Sequence, residues 1–453
     1  VWGGWHRATG TAVAVKVLNP KWADSTLGLR LFQREVQTFA RLQHPGIVAV
    51  YDHGEISRET AEASAGAMQT GSPYLVSEYV GGGNLVGPEA VNDWPQLRST
   101  LFSVLDSLAH AHARGVIHRD LKPANILRVR ASRRVKLTDF GIVHVIGQQN
   151  VSAGGGRRTR FVGTPSFASP EQVRADLPSV GPWTDLYALA CTLYVLATGL
   201  PPYGTSRTVG KENLLQAHMS APPPPLESRF WVPDGLEAWA HKLLRKDPRD
   251  RYRWAADAAA GLLALDQESL PASNPEEMDF LGESTGTLTF VVPEAVRLGM
   301  VGGLGYDDPT VLTPMVSGLL DDGSETVRDV HALNSDALSG NITAIMQRDR
   351  PEMPADWRQP HFPPEVLHDA GLSIFGMRPI PIVGRERERD RLWSLLQYVV
   401  STGRLKTVLL DGATGTGKSR LARWVCERAH EVGAASVMTI RHAPSQPPWE
   451  GLR

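Results

Sequence analysis

Between positions 118 and 141 this 453-residue chain gathers side chains suited to phosphoryl chemistry. They read His118-Arg119-Asp120-Leu121-Lys122-Pro123-Ala124-Asn125, then Asp139-Phe140-Gly141 after a strand-like Val135-Lys136-Leu137. Moving a γ-phosphoryl group to a hydroxyl spreads charge over phosphate oxygens and needs little covalent help. Mg²⁺ takes carboxylate and amide oxygens and keeps its other positions for phosphates, a demand that Asn125 and Asp139 meet. Asp120 can accept a hydroxyl proton, and Lys122 can neutralise the group in transit. A second phosphate-binding pattern is Gly412-Ala413-Thr414-Gly415-Thr416-Gly417-Lys418-Ser419, a full G-x-x-x-x-G-K-S between a strand-like Thr407–Leu410 and a helix. Amides of the turn through Gly412, Gly415 and Gly417 and of the helix N-terminus hold phosphate there. Lys418 meets the β/γ-phosphates and Ser419 binds Mg²⁺.

Several elements must position these groups. Val13–Leu18 reads as a buried strand with one charge, Lys16, inside it, and a lysine there needs a partner or an anion. A helix capped by Asp24 or Ser25 is expected over about residues 26–42. Phe32, Val36 and Phe39 form its apolar face and Glu35 sits beside that face. His44-Pro45-Gly46 ends that helix and opens a strand from Ile47 to Tyr51. An Ala/Ser/Gly/Thr-rich insert, residues 59–72, reads as a mobile hairpin loop before the strand Tyr74–Val80. Leu97, Leu101, Leu105 and Leu108 mark a helix that delivers the chain to the catalytic stretch.

The run H-R-D-L-K-P-x-N followed by D-F-G resembles the protein-kinase family, and Lys122 resembles its Ser/Thr-specific branch. The resemblance implies an α+β bilobal fold with a small β-rich lobe and a helical lobe, binding ATP with two Mg²⁺. Lys16 then holds the α/β-phosphates and pairs with Glu35. Val1 closes over adenine, and the Glu78 carbonyl and Val80 amide meet the adenine edge through backbone atoms, so side-chain identity there matters little. Ser77 falls at the position behind adenine, where a small residue implies an open pocket. Arg119 is placed to bind a phosphate on the activation segment, residues 142–171, in which Thr159 and Ser152 are the candidate phosphorylation sites and Thr159, close before Gly163-Thr164-Pro165, is favoured for self-phosphorylation. Thr164 contacts Asp120 and Lys122, Glu171 pairs with Arg251 in a buried structural pair, and Asp185 braces the catalytic loop. The family's glycine-rich loop would lie before Val1, so the sequence reads as a fragment truncated at both ends.

The length predicts more than one domain. We expect a kinase domain over 1–262, an acidic Pro/Gly/Ser-rich linker over 263–375, mostly disordered, and the start of an α/β P-loop NTPase domain over 376–453. Charge follows the same division, since residues 263–375 contain 19 Asp/Glu against 5 Arg and no Lys. The opening Val383-Gly384-Arg385-Glu386 resembles AAA-type and signalling NTPases. No Walker-B acid appears before Arg453, so this stretch by itself is not expected to turn over ATP. Two cysteines, Cys191 and Cys426, without metal-ligand spacing argue for a reducing compartment, and cytoplasmic location is expected. No apolar run is long enough to cross a bilayer, and nothing predicts a nucleic-acid partner. The leading reading is a serine/threonine kinase acting on protein hydroxyls in signal transduction and coupled to the P-loop module. The alternative is a nucleotide-sensing pseudokinase that regulates that module.

Overall fold

The computed structural model describes residues 1–17, 32, 36, 38–64, 66–87, 90–130, 134–140, 164–268, 312–314, 353–358, 382–411, 413 and 415–437. They fall into two compact units, one holding the described residues up to 268 and the other those from 312 onward.

The first unit begins with a four-stranded antiparallel sheet in the order β1-β2-β4-β3. β1 (Trp2–Trp5) and β2 (Ala12–Val17) form a hairpin whose turn closes at Gly10, in the left-handed region at φ 69°. Glycine reaches that region without steric cost. β2 reads A-V-A-V-K-V, and its register on β4 (Pro73–Glu78) sets Lys16 opposite Leu75. β3 (Val50–Glu55) covers the far edge of β4, with a bulge between Val50 and Asp52.

Two expectations change here. The strand anticipated at Ile47–Tyr51 starts at Val50, because Ile47 and Val48 pair with Leu137 of another hairpin instead of with β4. The insert anticipated as a loop contains a short helix, α1 (Arg58–Ala63). The Ser57 hydroxyl caps it by accepting from the Thr60 amide, satisfying one N–H that the first turn leaves unpaired.

Of the helix expected over 26–42, the described residues Phe32, Val36 and 38–40 are helical. Phe32, Val36 and Phe39 are buried as their spacing requires. Its cap residues and Glu35 lie outside the described residues.

The rest of this unit is mainly helical, with one short hairpin. α2 (Trp94–Ala113) starts where the Asp93 carboxylate accepts from the Gln96 amide, and its Leu97, Leu101, Leu105 and Leu108 are buried. α2 leads into the β5 (Ile126–Arg128) and β6 (Val135–Leu137) hairpin. α3 (Pro170–Val173) is short, and α4 (Pro182–Thr198) is buried along nearly its whole length. α5 (Lys211–Ser220), α6 (Leu236–Leu243) and α7 (Ala255–Glu268) complete the lobe. A single apolar core runs from Phe32 to Leu265 through α2, β5, β6 and α4, so the hairpin that carries the polar site rests on a close-packed floor.

The second unit contains α8 (Glu386–Thr402), β8 (Val408–Leu410) and α9 (Lys418–Glu431). β8 pairs antiparallel with β7 (Leu312–Pro314). Residues 353–358, which the composition assigns to the linker, pack here as well. Trp357 is buried, and the Pro354 carbonyl accepts from Trp393 Nε1 of α8. Among the described residues no helix is long and apolar enough to cross a membrane.

Candidate active site

The catalytic stretch is shaped from below by α4. Asp185 is fully buried, and its two carboxylate oxygens accept the His118 and Arg119 amides at 2.7 Å each. His112 Nε2 of α2 completes the cluster at 2.8 Å from Asp185 Oδ2. Burial alone pushes the Asp185 carboxyl up. The His112 hydrogen bond and charge, with help from His118, outweigh that and leave it below the ordinary carboxylate value. The carboxylate therefore stays charged and tightly bound, and the loop takes its shape from it. Arg119 adopts φ 65° and Asp139 φ 55°, both strained for a side-chain-bearing residue.

His118 is buried beneath the loop. Its Nδ1 accepts the Asp120 amide and its Nε2 donates to the Thr138 carbonyl at 3.0 Å, a pattern that suits the neutral ring. Burial lowers its pKa, against the opposing charges of Asp185 and Asp120. The ring packs 4.4 Å from Phe140, which meets Phe39 edge-on at 5.2 Å. The D-F-G phenylalanine thus ties the segment after β6 to both the catalytic loop and the helix of the small lobe.

Six polar side chains gather above this floor in two groups. Lys122 Nζ lies 2.7 Å from Asp120 Oδ2 and 2.8 Å from Thr164 Oγ1, and the Thr164 hydroxyl donates to Asp120 Oδ1 at 3.1 Å. Asn125 Nδ2 donates to the Asp120 carbonyl at 2.8 Å and to Asp120 Oδ2 at 3.2 Å. With its nitrogen so engaged, Asn125 leaves its amide oxygen as the atom that could serve a cation. Lys16 Nζ sits 2.6 Å from Asp139 Oδ1, joining β2 to the segment after β6 across 123 residues of chain. An amide oxygen and a carboxylate are hard donors, and as a partial set they fit Mg²⁺ that takes its other ligands from phosphates. Among the described residues no group of three His, Cys, Asp or Glu is placed to hold a metal by itself.

Outside this convergence, Glu35, Gly141 and the whole of 141–163, with Thr159, lie outside the described residues. Val1 is exposed at the start of β1, and Glu78 ends β4 with Val80 two residues on.

Three features escaped the sequence reading. The Glu78 side chain was expected to be immaterial. Its carboxylate instead receives Lys136 Nζ at 2.6 and 2.7 Å and the Ala49 amide at 3.2 Å, tying the end of β4 to β6. A lysine between the buried Val135 and Leu137 is the same signal that marked Lys16, and it pointed to a partner without saying which. His112 gave no signal, since its partner is 73 positions away. Gln172 gave none either, and its side-chain amide donates to the Arg119 carbonyl.

The protein kinase domain model matches residues 1–260. The chain belongs to the protein kinase family. The kinase domain is 38% identical over 258 residues to serine/threonine-protein kinase PknB of Mycobacterium leprae, covering 56% of this chain and 38% of that protein. The chain is 36% identical over 287 residues to PknB of Mycobacterium tuberculosis, covering 61% of this chain and 43% of that one. The chain thus spans about two fifths of the length of these relatives. The crystal structure of the PknI kinase domain of Mycobacterium tuberculosis is also similar, at 27% identity and a TM-score of 0.41, over 58% of this chain and 89% of that one. The AAA ATPase domain model matches residues 381–449. By the kinase-domain match the fold of the first unit is the protein-kinase fold, with an antiparallel sheet lobe and a helical lobe.

In the AAA-type segment, Gly415 and Gly417 take left-handed conformations at φ 88° and 87°, and α9 begins at Lys418 with Ser419 in its first turn. Lys418 Nζ donates to the Ala413 carbonyl at 2.7 Å, folding over its own loop. Gly412 lies outside the described residues.

Proposed function

We propose that this chain is the catalytic part of a serine/threonine protein kinase that transfers the ATP γ-phosphoryl group to hydroxyls of protein substrates. Asp120 receives the acceptor's proton, and Lys122 balances charge on the moving group. Lys16 orients the α/β-phosphates together with Glu35, Val1 closes over adenine, and the backbone of Glu78 and Val80 meets its edge. Asn125 and Asp139 hold Mg²⁺, which screens the phosphate charges when bound. The observation that carries this reading is the joint engagement of Asp120 by Lys122, Asn125 and Thr164, which fixes both carboxylate oxygens beside a cation at the floor of the cleft.

The domain reading is a kinase over 1–262, an acidic tether over 263–375 and a nucleotide-binding module over 376–453. Gly412, Gly415, Gly417, Lys418 and Ser419 hold a polyphosphate with its Mg²⁺ in that module. The protein works in the cytoplasm in signal transduction, and Thr159 is its self-phosphorylation site.

Phosphotransfer to Ser/Thr peptides, measured on the longest expressible form beside an Asp120→Asn variant, tests the assignment. A loss of about 10²-fold or more in kcat is expected for the variant. Equal transfer by the two proteins would refute it in favour of a nucleotide-sensing role.

A further inference from the structure

The described residues 353–358, Met-Pro-Ala-Asp-Trp-Arg, lie in the sequence's acidic stretch yet are built into the second unit. Trp357 is their anchor. Its Nε1 donates to Asp390 Oδ1 at 2.7 Å, its carbonyl accepts from Arg428 Nε at 3.1 Å, and its ring meets Trp424 edge-on at 5.1 Å. The Arg389 guanidinium stacks 4.0 Å from the Trp357 ring centroid and Arg358 lies 4.5 Å from it. Beside it, the Pro354 carbonyl accepts from both Trp393 and Gln397 of α8.

Arg389 carries this contact towards the phosphate loop. It donates to the Gly384 carbonyl at 2.8 Å, and its amide bonds the Arg385 carbonyl, fixing both ends of the turn that opens α8. Arg385 in that turn adopts φ 62°, a strained conformation that persists only where neighbours enforce it. Its side chain bonds Glu388 at 2.8 Å and reaches the Thr416 carbonyl at 3.2 Å, one residue before Gly417 and two before Lys418. A continuous line of contacts therefore joins Trp357, Arg389, the Gly384-Arg385 turn and the loop that ends at Lys418.

We infer that Trp357 and Arg389 are positioning residues for nucleotide binding at the Lys418 loop, an inference that rests on the phosphate-binding reading of that loop. Trp357 holds the Arg389 plane, Arg389 holds the turn, and Arg385 of that turn holds the Thr416 carbonyl so that the loop keeps its amides aimed at phosphate. By linkage, nucleotide at the loop must tighten the docking of residues 353–358 to the same extent. The end of the acidic tether then reports the state of the loop.

Local hydrogen exchange on the full chain, titrated with Mg·ADP, separates this from the underlying reading. The readouts are the peptide containing Lys418 and the peptide containing Trp357. In the wild type both gain protection at a common midpoint, and Lys418→Ala abolishes both changes. Trp357→Ala moves the midpoint at the Lys418 peptide about fivefold higher, the value of a partly buried cation–π contact. Trp357→Phe restores it to within about twofold, since the ring face remains. Arg389→Lys, which keeps the charge but loses the planar stack, gives the same rise and decides the matter should Trp357→Ala loosen α8 and α9 without nucleotide. No nucleotide-dependent protection at the wild-type Lys418 peptide, or protection that survives Lys418→Ala, overturns the phosphate-loop reading and this inference with it. Wild-type binding with unchanged midpoints in Trp357→Ala and Arg389→Lys overturns the inference alone.

Discussion

Glu171 and Arg251, 80 residues apart in sequence, meet in a two-bond ion pair at 2.9 and 3.0 Å with both side chains sealed from solvent. Every other donor of the guanidinium is directed as well, to the carbonyls of Trp183, Arg245 and Lys246, and the Thr184 hydroxyl donates to Glu171. The pair pins α3 to the segment that joins α6 to α7.

Arg251→Met should destabilise the kinase domain by about 3–5 kcal/mol, because it leaves a buried carboxylate without its cation. Urea titration should show a lower midpoint with little change in slope. A midpoint within experimental error of the wild type would mean that the buried pair contributes nothing beyond its packing.

Thr164→Val removes the hydroxyl that donates to Asp120 and accepts from Lys122. A hydrogen bond to a charged group contributes about 1.5–3 kcal/mol, so kcat should fall about tenfold or more, with the KM for ATP little altered. Thr164→Ser should recover most of the rate. Steady-state kinetics on a peptide substrate distinguishes this from a binding defect, which would appear in KM.

Lys136→Met removes the cation that fixes Glu78 at the end of the strand proposed to meet adenine. Both side chains are about one-fifth exposed, so the interaction is discounted to about 1 kcal/mol, and the KM for ATP should rise about fivefold with kcat within about twofold. If kcat fell instead while KM held, the pair would serve the β6 side of the cleft and not the nucleotide's adenine end.

His218 is buried against Tyr187, and burial, aided by the charge of Lys246, lowers its pKa to about 3. An unfolded chain binds that proton near pH 6.5, so between the two values the unfolded state carries more protons and stability drops as pH falls. Going from pH 7 to pH 5 should cost about 2 kcal/mol from this group. His218→Asn keeps a hydrogen-bonding atom near Nδ1 but does not titrate. Its stability at pH 7 should be lower and its dependence on pH flatter, as read from urea midpoints. An unchanged slope would assign the acid sensitivity to other groups.

Short-range chemistry made much of this site readable in advance. The octet from His118 to Asn125 packs its polar groups within one turn of chain, and Lys16 stands out as a charge in an apolar strand. The Glu171 and Arg251 pair followed from the family pattern and is present. What could not be read depends on distance in sequence. Lys136 announces a need for a partner, yet only the folded sheet brings Glu78 to it across 58 residues. Ile47 and Val48 have strand-forming side chains, but which neighbour they bond is decided by Leu137. Residues 353–358 hid in a stretch whose prolines and acids describe a tether, and one tryptophan outweighs that composition once α8 offers it Arg389 and α9 offers it Arg428.

The Asp185 carboxylate, fully enclosed, accepts two hydrogen bonds from the His118 and Arg119 amides, whereas Lys16 and Asp139 meet with side chains 38% and 40% exposed. Deep contacts resist local opening and wet ones yield to it. The two walls of the proposed ATP site therefore differ in kind: the lower one is cast in place, and the upper one can be remade around a nucleotide.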